Sequence, residues 1–113
     1  MATDSWAPSP YAEAVLDLVD LIPPGRVLAY GDVAGLLGAG GPRQVGAVMS
    51  HYGSGVPWWR VVRADGSPAP AVADEALARL RSEGTPLVGG QLTGTRVDLR
   101  QARWQPPETV GAG

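Results

Sequence analysis

Gly31-Asp32-Val33-Ala34-Gly35-Leu36-Leu37, then Gly38-Ala39-Gly40-Gly41, then Pro42-Arg43-Gln44-Val45-Gly46-Ala47-Val48-Met49-Ser50-His51-Tyr52 is the stretch that decides the fold. Apolar residues recur at helical spacing on both sides of the glycines. Gly31 or Asp32 opens a first helix, with Val33, Leu36 and Leu37 as its expected buried stripe. The glycines read as a turn. Pro42 begins a second helix, at a position where its missing N–H costs nothing. Val45, Val48, Met49 and Tyr52 stand at i, i+3, i+4 and i+7 and face inward, while Arg43, Gln44, Ala47 and Ser50 point away. Such a pair is either a plain αα-hairpin or a helix-turn-helix whose second helix presents Arg, Gln and Ser.

Upstream, Tyr11, Val15, Leu18, Val19 and Ile22 also keep helical spacing, so a helix is expected from Pro10 to Leu21. Pro23-Pro24-Gly25 stops it. Arg26-Val27-Leu28-Ala29-Tyr30 is a short extended approach. Downstream, Pro57-Trp58-Trp59-Arg60-Val61-Val62 holds half of the four tryptophans. A pair that large is either a core plug or the wall of a ligand pocket. In an extended segment the two indoles point to opposite sides, which makes Trp59 the candidate for the buried partner. Asp65-Gly66 is a turn and 67–71 a Pro/Ala loop. Asp74 is expected to cap a further helix that packs through Leu77 and Leu80 and stops at Gly84. A short strand is expected at Pro86-Leu87-Val88 and another at Arg96-Val97-Asp98-Leu99, with Trp104 anchoring the end.

The 113 residues suffice for one domain with a single core, and Gly and Pro (16 and 11) predict short elements and many turns. Residues 1–9 are expected to be flexible, 10–104 to form the domain and 105–113 to be a disordered tail. With no cysteine there is no disulfide, no thiolate metal site and no thiol nucleophile. No metal or cofactor is expected. No leader-like stretch opens the chain and no apolar run approaches a membrane span, so a cytoplasmic protein is the expectation. The net charge of −2 argues mildly against nucleic acid. Its distribution argues the other way. Every base is Arg, and residues 33–64 contain Arg43, Arg60 and Arg63 with no acid. An all-Arg inventory favours bidentate contacts to phosphate or base edges.

Ile22-Pro23-Pro24-Gly25-Arg26-Val27, Tyr30-Gly31-Asp32-Val33-Ala34, Arg43-Gln44-Val45-Gly46 and Pro57-Trp58-Trp59-Arg60-Val61-Val62, followed by Asp65-Gly66, together resemble the DNA-binding domain of the O6-alkylguanine-DNA alkyltransferases. The resemblance covers about residues 10–104. It implies a mainly α fold with short β segments, a winged helix-turn-helix-like DNA-binding domain. In that family the fourth block reads Pro-Cys-His-Arg-Val. Trp58 in place of the acceptor Cys is the mark of the alkyltransferase-like proteins, which bind the damaged base without repairing it and flag it for nucleotide excision repair. Chemistry agrees with the negative half: dealkylation by direct transfer needs a soft nucleophile, and indole is none.

The resemblance implies a lesion pocket of Trp58, Trp59, Val61, Tyr30 and Met49. It implies DNA contacts from Arg43, Gln44, Gly46, Ala47, Ser50 and Arg60. Arg43 matches the Arg that fills the stack when the base is flipped, and is otherwise an exposed phosphate-binding Arg. Tyr30 matches the Tyr that crowds the 3′ phosphate, or is a core Tyr. Gly46 and Ala47 would let the helix approach the minor-groove wall closely. Three departures stand out. Trp59 replaces the activating His, the 53–56 loop is short, and 67–72 lacks the Tyr or Arg that commonly contacts the lesion. Glu83 matches the Glu at the end of the family's relay; with no His to polarise, it is expected to be a last-turn carboxylate on a solvated face. The partner implied is duplex DNA containing O6-alkylguanine, bound by a monomer, with excision-repair proteins downstream. Two other classes compete: a winged-helix regulator that reads intact sequence, and an unrelated enzyme, for which one His and no clustered carboxylates leave little material.

Overall fold

The computed structural model describes residues 8–107 apart from Gln91 and Thr93. Most of the expected flexible N-terminus, and 108–113 of the expected tail, lie outside the described residues. Three helices come first: α1 (Pro10–Asp20), α2 (Tyr30–Leu37) and α3 (Pro42–Tyr52). Ser9 caps α1, its hydroxyl accepting from the Ala12 N–H at 3.1 Å. Between α1 and α2 runs β1 (Leu28–Ala29), and α2 begins at Tyr30, one residue earlier than Gly31. The Asp32 carboxylate allows this by accepting from the Ala29 N–H at 2.8 Å. Gly38, at φ +72°, ends α2 in the left-handed conformation that a side chain would oppose. At the start of α3, Gln44 accepts from the Gly41 N–H at 3.0 Å and Pro42 occupies the first turn.

The expected stripe of α2 is corrected in one place. Val33 and Ala34 are buried, Leu37 is half-buried, and Leu36 is 50% exposed. On a 3.6-residue helix the side of Val33 nearest α3 is shared with Ala34 and Leu37, and Leu36 falls beyond its edge.

The tryptophan segment is not extended. Trp58–Arg60 form a single 3-10 turn that feeds β2 (Val61–Val62). β2 pairs with β1 in parallel, Leu28 opposite Val61 and Ala29 opposite Val62. Strand alternation then sorts the side chains into two cores. Leu28 and Val61 join α1, α2 and α3 in the larger one, with Trp104 packed against it. Val27 and Val62 join Leu80, Val97 and Ala102 in the smaller one, with Trp59 against that.

Beyond β2 come α4 (Ala73–Ser82), an antiparallel ribbon of β3 (Leu87–Val88) and β4 (Arg96–Val97), and the short helix α5 (Leu99–Ala102). Asp74 does not cap α4. Val72 holds the N-cap position with no side-chain bond, and Asp74 lies inside the first turn. A 3-10 turn at Pro70–Val72 leads the chain straight into the helix and leaves no place for a capping side chain. Gly84 ends α4 at φ +74°, as expected. Leu99 starts α5 rather than ending a strand, because the Asp98 carboxylate accepts from the Arg100 N–H at 3.1 Å.

Glu83, at the end of α4, corrects the expectation of a solvated carboxylate. Its side chain is 14% exposed and receives four donors. Arg60 gives two of them, Nε to Oε1 at 3.0 Å and Nη2 to Oε2 at 2.6 Å. Trp59 Nε1 reaches Oε2 at 2.9 Å, and the Gly25 N–H reaches Oε1 at 3.4 Å. Arg60 also donates Nη1 to the Ile22 carbonyl at 2.7 Å. One carboxylate thus ties the loop before β1 and the Trp58–Arg60 turn to the end of α4. Burial pushes the Glu83 carboxyl up. The hydrogen bonds from Arg60 and Trp59 and the Arg60 charge outweigh that and hold it below the usual carboxylate range.

A group held below its unfolded value contributes stability that is complete above about pH 4.5 and is lost as pH falls through the folded value. Glu83→Gln is therefore expected to lose about 2–4 kcal/mol at pH 7, because it leaves the Arg60 charge unpaired in a half-dry site. The deficit should shrink towards pH 3. Urea unfolding of both proteins at the two pH values checks this, and an equal deficit at both would show that the carboxylate charge is not its source.

Candidate nucleic-acid interface

α3 carries its exposed face away from the larger core. Arg43, Gln44, Ala47 and Ser50 are exposed, as the spacing predicts, while Val45 and Val48 are buried. Gly46 is flanked by open space, with nothing within 4 Å of where a Cβ would stand. This side of the helix therefore offers bare backbone to a surface that comes close. Gln44 is partly committed, since its carbonyl oxygen caps α3 and only its amide N–H groups remain for a partner.

Beside this face lies a concavity of about 390 Å³ lined by Tyr30, Gly46, Met49, Ser50, Gly53 and Trp58 among others. Three of the five residues expected in a lesion pocket come together here: Tyr30, Met49 and Trp58. They come from three elements: Tyr30 opens α2, Met49 lies on α3 and Trp58 begins the turn before β2. The remaining wall is Ser54, Ala69, Ala71 and Val72. None of the four was named as a site residue; the resemblance places a lesion contact in 67–72, but the small side chains there read equally well as plain loop.

Two expected pocket residues do not line it. Val61 is 3% exposed and belongs to the larger core, because its strand partner Leu28 faces that way. Trp59 turns to the other side, onto the smaller core and Glu83. The reason is the 3-10 turn, which rotates successive side chains by about a third of a circle. The two indoles meet edge to face at 88°, with centroids 5.6 Å apart. Arg60 and Arg79 hold the Trp59 ring, their guanidinium carbons 5.3 and 4.6 Å from its centroid. Trp58 also walls a second concavity of about 400 Å³, shared with Asp20, Trp59 and Arg79.

Arg60 is corrected as well. It was expected among the DNA contacts, but its side chain is 13% exposed and its guanidinium is taken up by Glu83 and Ile22. Tyr30 is half-buried; burial raises its phenol above the ordinary value, and the nearby Arg63 charge only partly opposes that. The phenol therefore stays protonated and able to donate. Among the described residues, no three His, Cys, Asp or Glu side chains cluster to hold a metal. No described helix is long and apolar enough to cross a membrane. The cavity offers an indole face, a thioether, a phenol and small side chains: surfaces suited to a flat, largely apolar group.

The family described as 6-O-methylguanine DNA methyltransferase, DNA binding domain, matches residues 10–85. A DNA base-flipping protein of Escherichia coli (strain K12) is 38% identical over 101 residues, covering 83% of this chain and 74% of that protein. Alkyltransferase-like protein 1 of Schizosaccharomyces pombe is 32% identical over 99 residues, covering 81% of this chain and 92% of that one. Among solved structures, S. pombe Atl1 in complex with damaged DNA containing O6-carboxymethylguanine aligns with a TM-score of 0.75 at 30% identity. That alignment covers 94% of this chain and 100% of the Atl1 chain. The mainly helical architecture with short strands, the match over 10–85 and these relatives agree with one another. The chain belongs to the family of the 6-O-methylguanine DNA methyltransferase DNA-binding domain, among its alkyltransferase-like members.

Proposed function

We propose that this protein is a non-enzymatic sensor of O6-alkylguanine in duplex DNA. α3 lies against the minor groove, Arg43 fills the gap in the stack, and the extruded base enters the cavity between Tyr30 and Trp58. Flagging of the lesion for nucleotide excision repair, a monomeric state and a cytoplasmic location belong to the same proposal. The observation that carries it is Trp58, an indole at the cavity wall where the resemblance places the acceptor thiol. The relatives named for base flipping and for damaged DNA support the same reading. A flat aromatic wall stacks on a base but cannot accept an alkyl group. Glu83 offers no alternative nucleophile, being bonded on both oxygens.

Titration against one duplex with and without a single O6-methylguanine should show tighter binding to the damaged strand. The same DNA carrying a labelled methyl group should transfer none of it to the protein. Equal affinity for the two duplexes would favour a regulator that reads intact DNA, and stoichiometric transfer would end the sensor reading.

The two tryptophans divide the work. Trp58→Ala is expected to lower lesion discrimination by about 1–3 kcal/mol, one base–aromatic contact, with a modest change in stability. Trp59→Ala should act mainly on the fold, costing about 2–4 kcal/mol, since it removes core packing and a donor to Glu83. Urea unfolding and lesion-duplex titration of both variants check the division, and reversed effects would overturn it.

Arg43→Ala should keep the fold, because the side chain is exposed. It should weaken lesion binding by a few kcal/mol at most, roughly the cost of leaving the vacated stack unfilled. Unchanged lesion affinity would remove Arg43 from the flipping step.

A further inference from the structure

A third concavity, of about 360 Å³, shares Tyr30 with the base cavity. Tyr30, Asp32, Pro42, Arg63 and Arg103 line it. Its position follows from strand register. Ala29 pairs with Val62, so the next residues, Tyr30 and Arg63, leave the strands side by side. Arg103 arrives from the other edge, because Val27 bridges Arg103 in parallel. Two arginines far apart in sequence are thus brought to one hollow by the same short strand.

The charges there are unevenly satisfied. The exposed Arg63 side chain has no hydrogen-bond or ion-pair partner among the described residues. Arg103 gives only Nε to Asp32 Oδ2, at 2.9 Å, which leaves its two terminal nitrogens free. Asp32 also lines the hollow, but its carboxylate is engaged by that Arg and by the Ala29 N–H at 2.8 Å. Among the groups that line the hollow itself two Arg face one Asp; the neighbouring Asp65, whose Oδ1 is bonded to Ser67, lies within electrostatic reach of Arg63. Two other arginines near the cavity are already paired: Arg60 is held by Glu83, and Arg79 by Glu75 at 3.0 Å. In a chain with no Lys and a net charge of −2, Arg63 and the two terminal nitrogens of Arg103 offer donors to a ligand beside a base-sized cavity.

We propose that Arg63 and Arg103 form a phosphate subsite that grips the DNA backbone next to the extruded nucleotide, with Tyr30 as the wall between base and phosphate. This rests on the base occupying the Trp58 cavity, as proposed above. The ligand chemistry is a phosphodiester, which the two forks can approach from opposite sides. Such a contact positions the strand and carries no sequence or lesion information.

The test uses the full chain, an undamaged duplex, the same duplex with O6-methylguanine, and versions in which one phosphate flanking the lesion is a neutral methylphosphonate. Arg63→Ala is expected to weaken binding of both charged duplexes by about fivefold and to lower the log–log salt slope by about 0.9. Arg63→Lys should recover part of the affinity, and Arg103→Gln should act in the same direction while keeping a donor for Asp32. At one methylphosphonate position the wild type should lose a similar factor and Arg63→Ala should lose nothing further. An Arg63→Ala protein that binds both duplexes like wild type, or that loses further affinity at every methylphosphonate position, overturns the subsite. Failure of the sensor reading shows differently: the wild type would not prefer the damaged duplex, whatever Arg63 does.

Discussion

Glu83 receives four donors from two segments that are far apart in the chain, Gly25 and the Trp59–Arg60 pair, and the shape of the site follows from that single carboxylate. Without it, the Trp58–Arg60 turn would be held by one flank of apolar packing, a two-residue strand and the bond from Arg60 to the Ile22 carbonyl. With it, the turn is fixed by charge-assisted bonds in a partly dry setting, where such bonds are stronger than in water. The nature of the donors also matters. Where the resemblance places an imidazole, this chain has an indole, and both can give an N–H to Glu83. Imidazole can pass a proton on through its second nitrogen; indole has only the one donor. The Trp therefore keeps the bond and abolishes the relay, which suits a protein that holds a base and does nothing to it.

The helices were legible because amphipathic spacing and glycine stops are local signals: Val45, Val48 and Gly84 behave as their positions in the sequence imply. What was not legible depended on partners far away in the chain. Arg60 looked like a DNA contact because an Arg in a basic stretch reads so, and only the fold reveals Glu83 against it. Glu83 looked solvated for the same reason. The 3-10 turn at Trp58–Arg60 defeated the simple up-and-down reading of an extended segment, yet Trp59 still turned inward. Leu36 is a third kind of miss, since the apolar face of an eight-residue helix is too short to fix its own edge. In the cavity, Tyr30, Met49 and Trp58 were named from motif correspondence, while Ala69, Ala71 and Val72 belong to a stretch noted only for the Tyr or Arg it lacks.

The cavity is built from rigid parts at its back and from small residues at its front. Trp58 leans edge-on against Trp59, which is itself held between two guanidinium groups. A wall supported in this way loses little freedom when a base stacks on it. The facing Ala69, Ala71 and Val72 reach only a short way into the space, so substituents on the base meet few fixed polar groups there. Were the proposed base to enter, its discrimination would rest on the fit and stacking of the whole ring more than on hydrogen bonds to one substituent.

The shared strand pair has a consequence for how the molecule comes apart. Leu28 and Val61 belong to one core, Val27 and Val62 to the other, and all four lie on two adjacent backbone segments. Neither core can open without exposing the reverse side of the other. Melting of the ribbon and α4 would bare the reverse side of the strand pair that the three helices pack on, which raises the cost of partial unfolding. The cavity sits at this junction, and its walls share the cooperativity of the whole domain.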